Sequence, residues 1–305
     1  MKEDETPYIS VIVTAYNRKD FLLNALKSVV NQTLDKKYYE IIVIKNYTDD
    51  MVDNFINKNN VKNIVMDGTI GEFLYAGVNG SNGEILVFLD DDDLFTEDKL
   101  VVVFNKFKAN NNLCYYHNGH ITVNDEYKQL DTNVDNNIVF NISSISIKRN
   151  ILNIDNLKEI KGNTDDFMYL SAIESDKIII NGKEKLTYYM RHNSASYFTG
   201  NNIDEFTRYR KQNLQLQIKQ FKNFREMFVS MTVINYINGR LAHLEISSYI
   251  FDGNIKPDNI WDTFKNKNQT FYAELKILVA YILIRLHVNF RDKIIKVVFS
   301  DDKKV

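Results

Sequence analysis

The chain has 305 residues, 44% hydrophobic and 26% charged, with a formal net charge of −2. That is an ordinary globular balance with enough apolar material for a real core, and it carries no signature of a nucleic-acid partner. A single cysteine, Cys114, excludes an internal disulfide framework and fits a reducing compartment.

Charge is unevenly spread. Residues 1–200 hold 21 Lys+Arg against 29 Asp+Glu (−8), and residues 201–305 hold 17 against 11 (+6). The last third is therefore expected to face something anionic, such as a membrane surface. The first seven residues are acidic and lack an apolar run, so they do not read as a secretory signal. A cytoplasmic protein is expected, peripheral at the inner face of the membrane if the tail meets lipid.

Tyr8–Val13 is apolar and β-branched and predicts a first strand. Thr14–Asn17 follows as a turn. Asn17 and Asp20 resemble a capping box for a helix that runs from Phe21 to Gln32. Glu40–Ile44 predicts a second strand, Thr48 caps a helix holding Val52, Phe55 and Ile56, and Val61–Met66 predicts a third strand. Gly71–Asn79 is a short helix, broken by Gly80-Ser81-Asn82-Gly83. Ile85–Leu89 is apolar without interruption, as in an interior parallel strand buried on both faces. Asp is a poor strand former, so the strand should end at Leu89 with Asp90–Asp93 at its carboxyl end. Leu94–Asn110 then has helical periodicity. Strands and helices alternating in this way give right-handed βαβ units, a parallel sheet with helices on both faces.

Beyond residue 110 the pattern changes. Leu113–Val123 and Tyr127–Leu130 predict a hairpin, Asn124–Asn141 a loop, and Ser143–Arg149 a short element of either type. Thr164–Ser175 predicts a helix capped by Thr164, and Lys185–Met190 a strand. From Asn202 onward the chain is helical, over Phe206–Val229, Ile234–Ile250, Asn259–Phe264 and Phe271–Phe290, with its clearest break at Gly253–Pro257. Within the last helix, Ile277–Ile284 is strongly apolar but closely bracketed by Lys276 and Arg285. A bilayer span needs about 20 such residues. The segment is either a buried bundle helix or an interfacial helix whose cations flank an apolar face.

Four adjacent carboxylates raise one another's pKa unless a cation compensates them. A hard divalent ion, Mn²⁺ or Mg²⁺, takes such oxygen ligands and often arrives with a phosphate. A solvated acidic turn is the bland alternative. Behind a buried strand, at the sheet end where α/β proteins bind ligands, the metal reading is the stronger one.

Several segments are informative together: Ile9-Ser10-Val11-Ile12-Val13-Thr14-Ala15-Tyr16-Asn17-Arg18, Ala25–Thr33, Glu40–Ile44, and Gly83–Asp93 ending at Asp98-Lys99-Leu100. In this order and spacing they resemble the family 2 glycosyltransferases, over roughly residues 8–195. The resemblance implies a GT-A fold, a nucleotide-sugar donor of UDP or GDP type, and inverting transfer to an acceptor hydroxyl; the net-positive helical tail suggests that this acceptor is a glycan or lipid-linked carrier at a membrane surface. It implies a donor domain over 1–200, divided near residue 110 into nucleotide and acceptor halves, with 201–305 as a helical appendage.

Position by position, the resemblance sets the nucleotide against Thr14, Ala15, Tyr16 and Arg18, and against Lys45 and Asn46 after the second strand. It puts Asp90 and Asp91 near the ribose and Asp92, with Asp90, on the diphosphate-bound metal, leaving Asp93 as an outward or capping residue. Such an ion neutralises charge where it develops on the leaving diphosphate. A base must also accept the proton of the acceptor hydroxyl. Thr164-Asp165-Asp166-Phe167 matches the family's acidic pair and implies Asp166, although Asp is common in the first turn of any helix. Leu186–Ser196 resembles a strand and loop where a basic residue nears the diphosphate, which implies Arg191 or His192, the latter also as a neutral metal ligand. Tyr115–His120 offers rings for an acceptor sugar, or equally a core strand.

The chain also departs from the family pattern. Lys45-Asn46 stands where an acidic pair usually reads the base, and Tyr75-Ala76 stands where an Arg-Asn pair usually precedes the Gly-Ile step. Lys45 reverses the local charge, while Asn46 still offers an acceptor. Leu94-Phe95 after the acids argues against a haloacid-dehalogenase phosphatase, and the absence of glycine in Thr14–Asn17 against a nucleotidyltransferase. The remaining alternative is a catalytically silent nucleotide-sugar-binding protein of the same fold.

Overall fold

A computed structural model describes residues 6–130, 141–191, 200, 202–253, 260–265, 271–286 and 290–302. They fall into two compact units, one holding the described residues up to Arg191 and the other those from residue 200 onward.

The first unit is built on a sheet of eight strands. β1 (Ile9–Ala15), β2 (Tyr39–Lys45), β3 (Lys62–Val65) and β4 (Ile85–Asp90) run parallel in the order β3-β2-β1-β4. Every residue of β1 is buried, as is Ile85–Leu89 of β4, the burial expected of strands covered on both faces. On one side Val11 and Val13 pack with Leu22, Ala25 and Val29 of α1 (Leu22–Val30) and with Leu100, Val103 and Phe107 of α4 (Lys99–Ala109). The other side of the same strands carries α3 (Ile70–Asn79), whose Gly77 lies directly over Ile12 and Ile44. A capping box between Thr69 and Glu72 starts α3, and α2 (Asp50–Lys58) completes the alternation.

Past β4 the sheet becomes mixed. β7 (Ile145–Lys148) pairs antiparallel with β4, β6 (Leu113–Val123) antiparallel with β7, and β8 (Ile178–Met190) parallel with β6. Thus Ser143–Arg149 resolves into a turn and a strand that joins the two halves of one sheet. β5 (Leu94–Phe95) adds to the far edge, antiparallel to β8. Here the helical periodicity of 94–110 is overridden. The backbone of Leu94 and Phe95 is paired with Tyr188 and Thr187, and the helix starts only at Lys99.

Other expectations shift for local reasons. Asp49, not Thr48, caps α2, accepting the Val52 N–H at 3.0 Å. Asn17 does not cap α1, because its side chain is engaged elsewhere. The expected hairpin is reduced, among the described residues, to one bridge between Val123 and Gln129. β8 begins seven residues earlier than expected, at Ile178 rather than Lys185, because β6 offers it a partner along its length. α5 (Thr164–Glu174) has Thr164 as its first helical residue, preceded by Asn163 in the left-handed conformation at φ 56°.

The second unit is helical. α6 (Ile203–Met227) is capped by Asn202, and α7 (Met231–Asp252) starts at Ser230 and stops at Gly253, whose φ of 74° suits a residue without Cβ. A 3₁₀ segment at Ile260–Lys265 precedes α8 (Phe271–Leu286), which corresponds to the helix expected over Phe271–Phe290, and a further helix, α9 (Phe290–Asp302), follows that was not expected. α8 buries Leu278, Tyr281 and Ile284, with Tyr281 edge-on to Tyr249 of α7 at 5.0 Å. Among the described residues no helix is long and apolar enough to cross a membrane.

Candidate active site

The strand order reverses at β1, between β2 and β4, and the crevice at such a reversal is where open α/β sheets bind ligands. Both the first-strand turn and the aspartates open there, because Thr14 and Asp90 are register partners and the Thr14 hydroxyl donates to Asp90 Oδ1 at 3.2 Å.

Beyond Asp90 the backbone folds tightly. The Asp93 N–H donates to the Asp90 carbonyl at 3.3 Å, and the Asp90 N–H donates to Ser143 Oγ at 3.0 Å. This turn gathers Asp90, Asp92 and Asp93, which can each offer a carboxylate oxygen within 4.8 Å of the others. Hard oxygen donors in that number suit Mg²⁺ or Mn²⁺. Asp91 is not one of the three. It is 1% exposed and pairs with Arg18, whose guanidinium also reaches Asp92 Oδ2 at 2.7 Å. The structure therefore separates Asp91 from Asp90, where a shared ribose contact was expected. Asp93 is not outward either. It is 1% exposed and accepts the Met190 N–H at 2.8 Å, framing the turn from inside.

Crowding and burial show in the proton affinities. Burial, followed by the charge of Asp92, pushes Asp90 up to about 7. Burial also lifts Asp91 to about 7, outweighing the opposing charge of Arg18. Asp93 is raised well above the carboxylate range by burial and then by its neighbours. Such a cluster favours a cation beside it over three free negative charges.

On the base side, Tyr16 is 54% exposed and edge-on to Phe73 at 5.9 Å, leaving an open aromatic surface beside Thr14 and buried Ala15. Asn46 and Asn17 bind each other: Asn46 Oδ1 accepts the Asn17 N–H at 2.9 Å, and Asn46 Nδ2 donates to Asn17 Oδ1 at 2.7 Å. The pairing places Asn17 in the left-handed region at φ 58°, which Asn tolerates. Lys45 is the main correction here. Its ammonium is fully buried, donates to the Tyr47 carbonyl at 2.6 Å and meets Asp53 Oδ1 at 2.8 Å. Asp53 is pushed up by its own desolvation, yet the Lys45 hydrogen bond and others hold its pKa below the ordinary value. Hence Lys45 does not turn a free positive charge toward the crevice, because Asp53 takes it.

Asp166 lies in the first turn of α5, where the helix dipole favours an ionised carboxylate, and Asn163 Nδ2 donates to its Oδ2 at 3.1 Å. Buried Tyr189 senses the charges of both the aspartate turn and Asp165 of α5. Its hydroxyl pKa is raised by burial and then by the charges of Asp93, Asp90, Asp92 and Asp165. Arg191 ends the first unit, and its N–H donates to the Val123 carbonyl at 2.8 Å. His192 lies outside the described residues. Of the aromatic run, Tyr115, Tyr116, His117 and Asn118 are core residues, between 0% and 2% exposed, which removes them from an acceptor surface. His120 remains at the margin, 5.4 Å from the Tyr189 ring.

Three residues of this site were not singled out from sequence: Ser143, Tyr189 and Lys99. Only Lys99 left a signal. It shares the spacing of Val103 and Phe107 on the buried side of α4, a lysine where an apolar residue is expected.

Residues 10–171 match the profile of Glycosyl transferase family 2, more than half of the chain. An uncharacterized glycosyltransferase of Rickettsia conorii is 33% identical over 129 residues, 41% of this chain and 21% of that protein. The alignment thus spans about a fifth of that curated relative's length. Among solved structures, S. aureus TarS 1–349 in complex with UDP-GlcNAc has a TM-score of 0.52 at 13% identity, covering 85% of this chain and 88% of that one. Mannosyltransferase PcManGT from Pyrobaculum calidifontis, in complex with GDP-Man and Mn²⁺, has a TM-score of 0.55 at 12% identity, covering 98% and 85%. Those two likenesses carry the fold, a GT-A sheet, and the profile match over residues 10–171 carries the family. The chain belongs to glycosyl transferase family 2.

Proposed function

We propose that the protein transfers a sugar from a nucleoside-diphosphate donor to an acceptor hydroxyl, with inversion and with a divalent metal. The observation that carries the proposal is the group of Asp90, Asp92 and Asp93 oxygens at the carboxyl end of β4, beside the Tyr16 turn. Asp92 and Asp90 would hold Mn²⁺ or Mg²⁺, and the ion would neutralise the charge that develops on the leaving diphosphate. Tyr16 offers a face to the base. Asn46 keeps a second lone pair and a second N–H beyond its bonds to Asn17, enough to read a base edge of UDP or GDP type. Arg18 and Arg191 are the cations assigned to the diphosphate.

Asp166 is assigned as base. It accepts the proton of the acceptor hydroxyl while that oxygen bonds to the anomeric carbon from the face opposite the departing diphosphate, whose bond to that carbon breaks. The helix dipole and the Asn163 hydrogen bond support an ionised Asp166 ready for that proton. The burial of Lys45 against Asp53 weakens the case for a silent binding protein, since the feature that favoured it does not face the donor. For the helical unit we infer an anionic membrane surface as partner, on the strength of its charge and of the apolar face of α8.

A thermal-shift panel of nucleoside diphosphates and nucleotide sugars, with and without Mn²⁺, tests the donor reading. Stabilisation by one base class that needs Mn²⁺ is expected, and Asp92→Ala should lose it. Asp166→Asn should keep donor binding and lose transfer. No stabilisation by any nucleotide would defeat the donor assignment, and normal turnover in Asp166→Asn would remove the base.

A further inference from the structure

Beneath the aspartate turn lies a charged group that the donor reading does not use. Lys99, the first residue of α4, is 0% exposed. Its ammonium donates to the Ser143 carbonyl and to Thr187 Oγ1, the latter at 3.1 Å, and lies 3.9 Å from the centre of the Phe95 ring. Ser143, also fully buried, accepts the Asp90 N–H on Oγ and hydrogen-bonds the Asp93 carboxylate. Thr187 donates to the Ser143 carbonyl at 3.2 Å and accepts from Asn118 Nδ2 at 3.0 Å. The end of β4 and the strands β5, β6 and β8 are thereby tied around one buried cation.

An ammonium is among the costliest groups to take out of water, and it persists inside a protein only when paired and fully hydrogen-bonded. Strand packing alone would be served as well by an apolar side chain here. Burial drives the Lys99 pKa well down while the charge of Asp93 opposes that shift, and the two groups are joined through Ser143.

We propose that Lys99 is a positioning residue for the donor site. Acting through Ser143 on the Asp93 carboxylate and on the backbone of Asp90, it keeps the Asp90 and Asp92 carboxylates turned toward a single cation. The proposal rests on the reading of Asp90 and Asp92 as the carboxylates that meet the metal.

The test is a Mn²⁺ titration of the full chain with UDP and with GDP, by calorimetry or by the free-Mn²⁺ spin signal, with melting temperatures recorded alongside. Lys99→Met keeps an unbranched stem against Phe95 and removes the charge and both hydrogen bonds. Its Mn²⁺ affinity should fall by about tenfold, the lower end of what losing a residue behind a metal ligand costs. Thr187→Val removes one of the Lys99 acceptors at constant shape, and should lose affinity in the same direction by less. It carries the test if Lys99→Met does not fold. A purely structural lysine would lower the melting temperature and leave the Mn²⁺ affinity of the folded protein unchanged, and that result in both variants overturns the proposal. Asp92→Ala, run in parallel, separates the two failures. If it binds Mn²⁺ as tightly as the wild type, the metal reading itself has failed and this inference falls with it.

Discussion

Asp90 and Asp91 both hold their protons to about pH 7, where free aspartates ionise near 4. Because the folded-state values lie above the unfolded ones, the native protein binds more protons than the unfolded chain across that window. The stability these groups contribute is present below it and is lost as pH rises through 7. His117 runs the other way. Burial, then Lys99, lowers its pKa to about 4, so the unfolded chain binds more protons between about 4 and 6.5 and stability rises there with pH. Above pH 6.5 that offset ends; buried Lys99, whose pKa is lowered, still opposes the trend, but the three raised carboxylates Asp90, Asp91 and Asp93 outnumber it. Metal-free protein should therefore lose melting temperature from pH 6.5 to 8, and Mn²⁺ should restore more of it at pH 8 than at 6.5, since the ion competes with protons. A Mn²⁺ shift equal at both pH values would show that these carboxylates are not where the ion acts. At this scale the sequence identified the acids but not their division of labour. Whether Asp91 faces out with Asp90 or in toward Arg18 depends on a turn closed by Ser143, 53 positions further along the chain.

Helix α3 shows how far element-scale reading extends and where contacts take over. Its existence and its stop at Gly80 were legible from periodicity and glycine placement. What Gly77 does inside it was not, because periodicity carries no information about how closely a helix approaches its sheet. A Cβ at Gly77 would sit 2.6 Å from Ile12 Cγ2 and 2.7 Å from Ile44 Cδ1, both side chains fully buried in the central strands. Gly→Ala inside a helix gains about 1 kcal/mol in propensity. Overpacking a tight core costs about 1–3 kcal/mol. Ile44 Cδ1 ends a side chain that can turn, but Ile12 Cγ2 is fixed on the Cβ of a buried central strand, so the clash should win, and Gly77→Ala should lower the denaturation midpoint by a net of up to about 2 kcal/mol in stability. A midpoint at or above the wild-type value would mean that α3 is free to lift from the sheet. The same limit explains β5, where helical periodicity was right about which residues are apolar but lost to the open edge of β8.

The charge asymmetry between the two parts of the chain was visible in composition, but the surface it serves was not. An apolar run such as 277–284 reads alike whether a helix is enclosed or half uncovered. In the structure α8 is half uncovered. Leu275, Val279, Ile282, Leu283 and Leu286 are exposed, between 37% and 69%, on the face not used by Leu278, Tyr281 and Ile284. Exposed Lys276 and Arg285 lie on the same helix, and Lys293 and Lys296 on α9. An apolar stripe with cations around it suits the boundary between headgroups and acyl chains, each basic residue contributing about 1 kcal/mol near an anionic surface. The protein should float with vesicles containing anionic lipid at low salt and should not float with neutral ones. Raising the salt should weaken the association as the charges are screened. Val279→Asp with Ile282→Asp, both at exposed positions, should abolish flotation while leaving the melting temperature and the Mn²⁺-dependent nucleotide shift unchanged. If the wild type fails to float at low salt, the membrane assignment falls. If the wild type instead sediments as an oligomer that this double variant returns to monomer, the stripe serves a second copy of the chain rather than lipid.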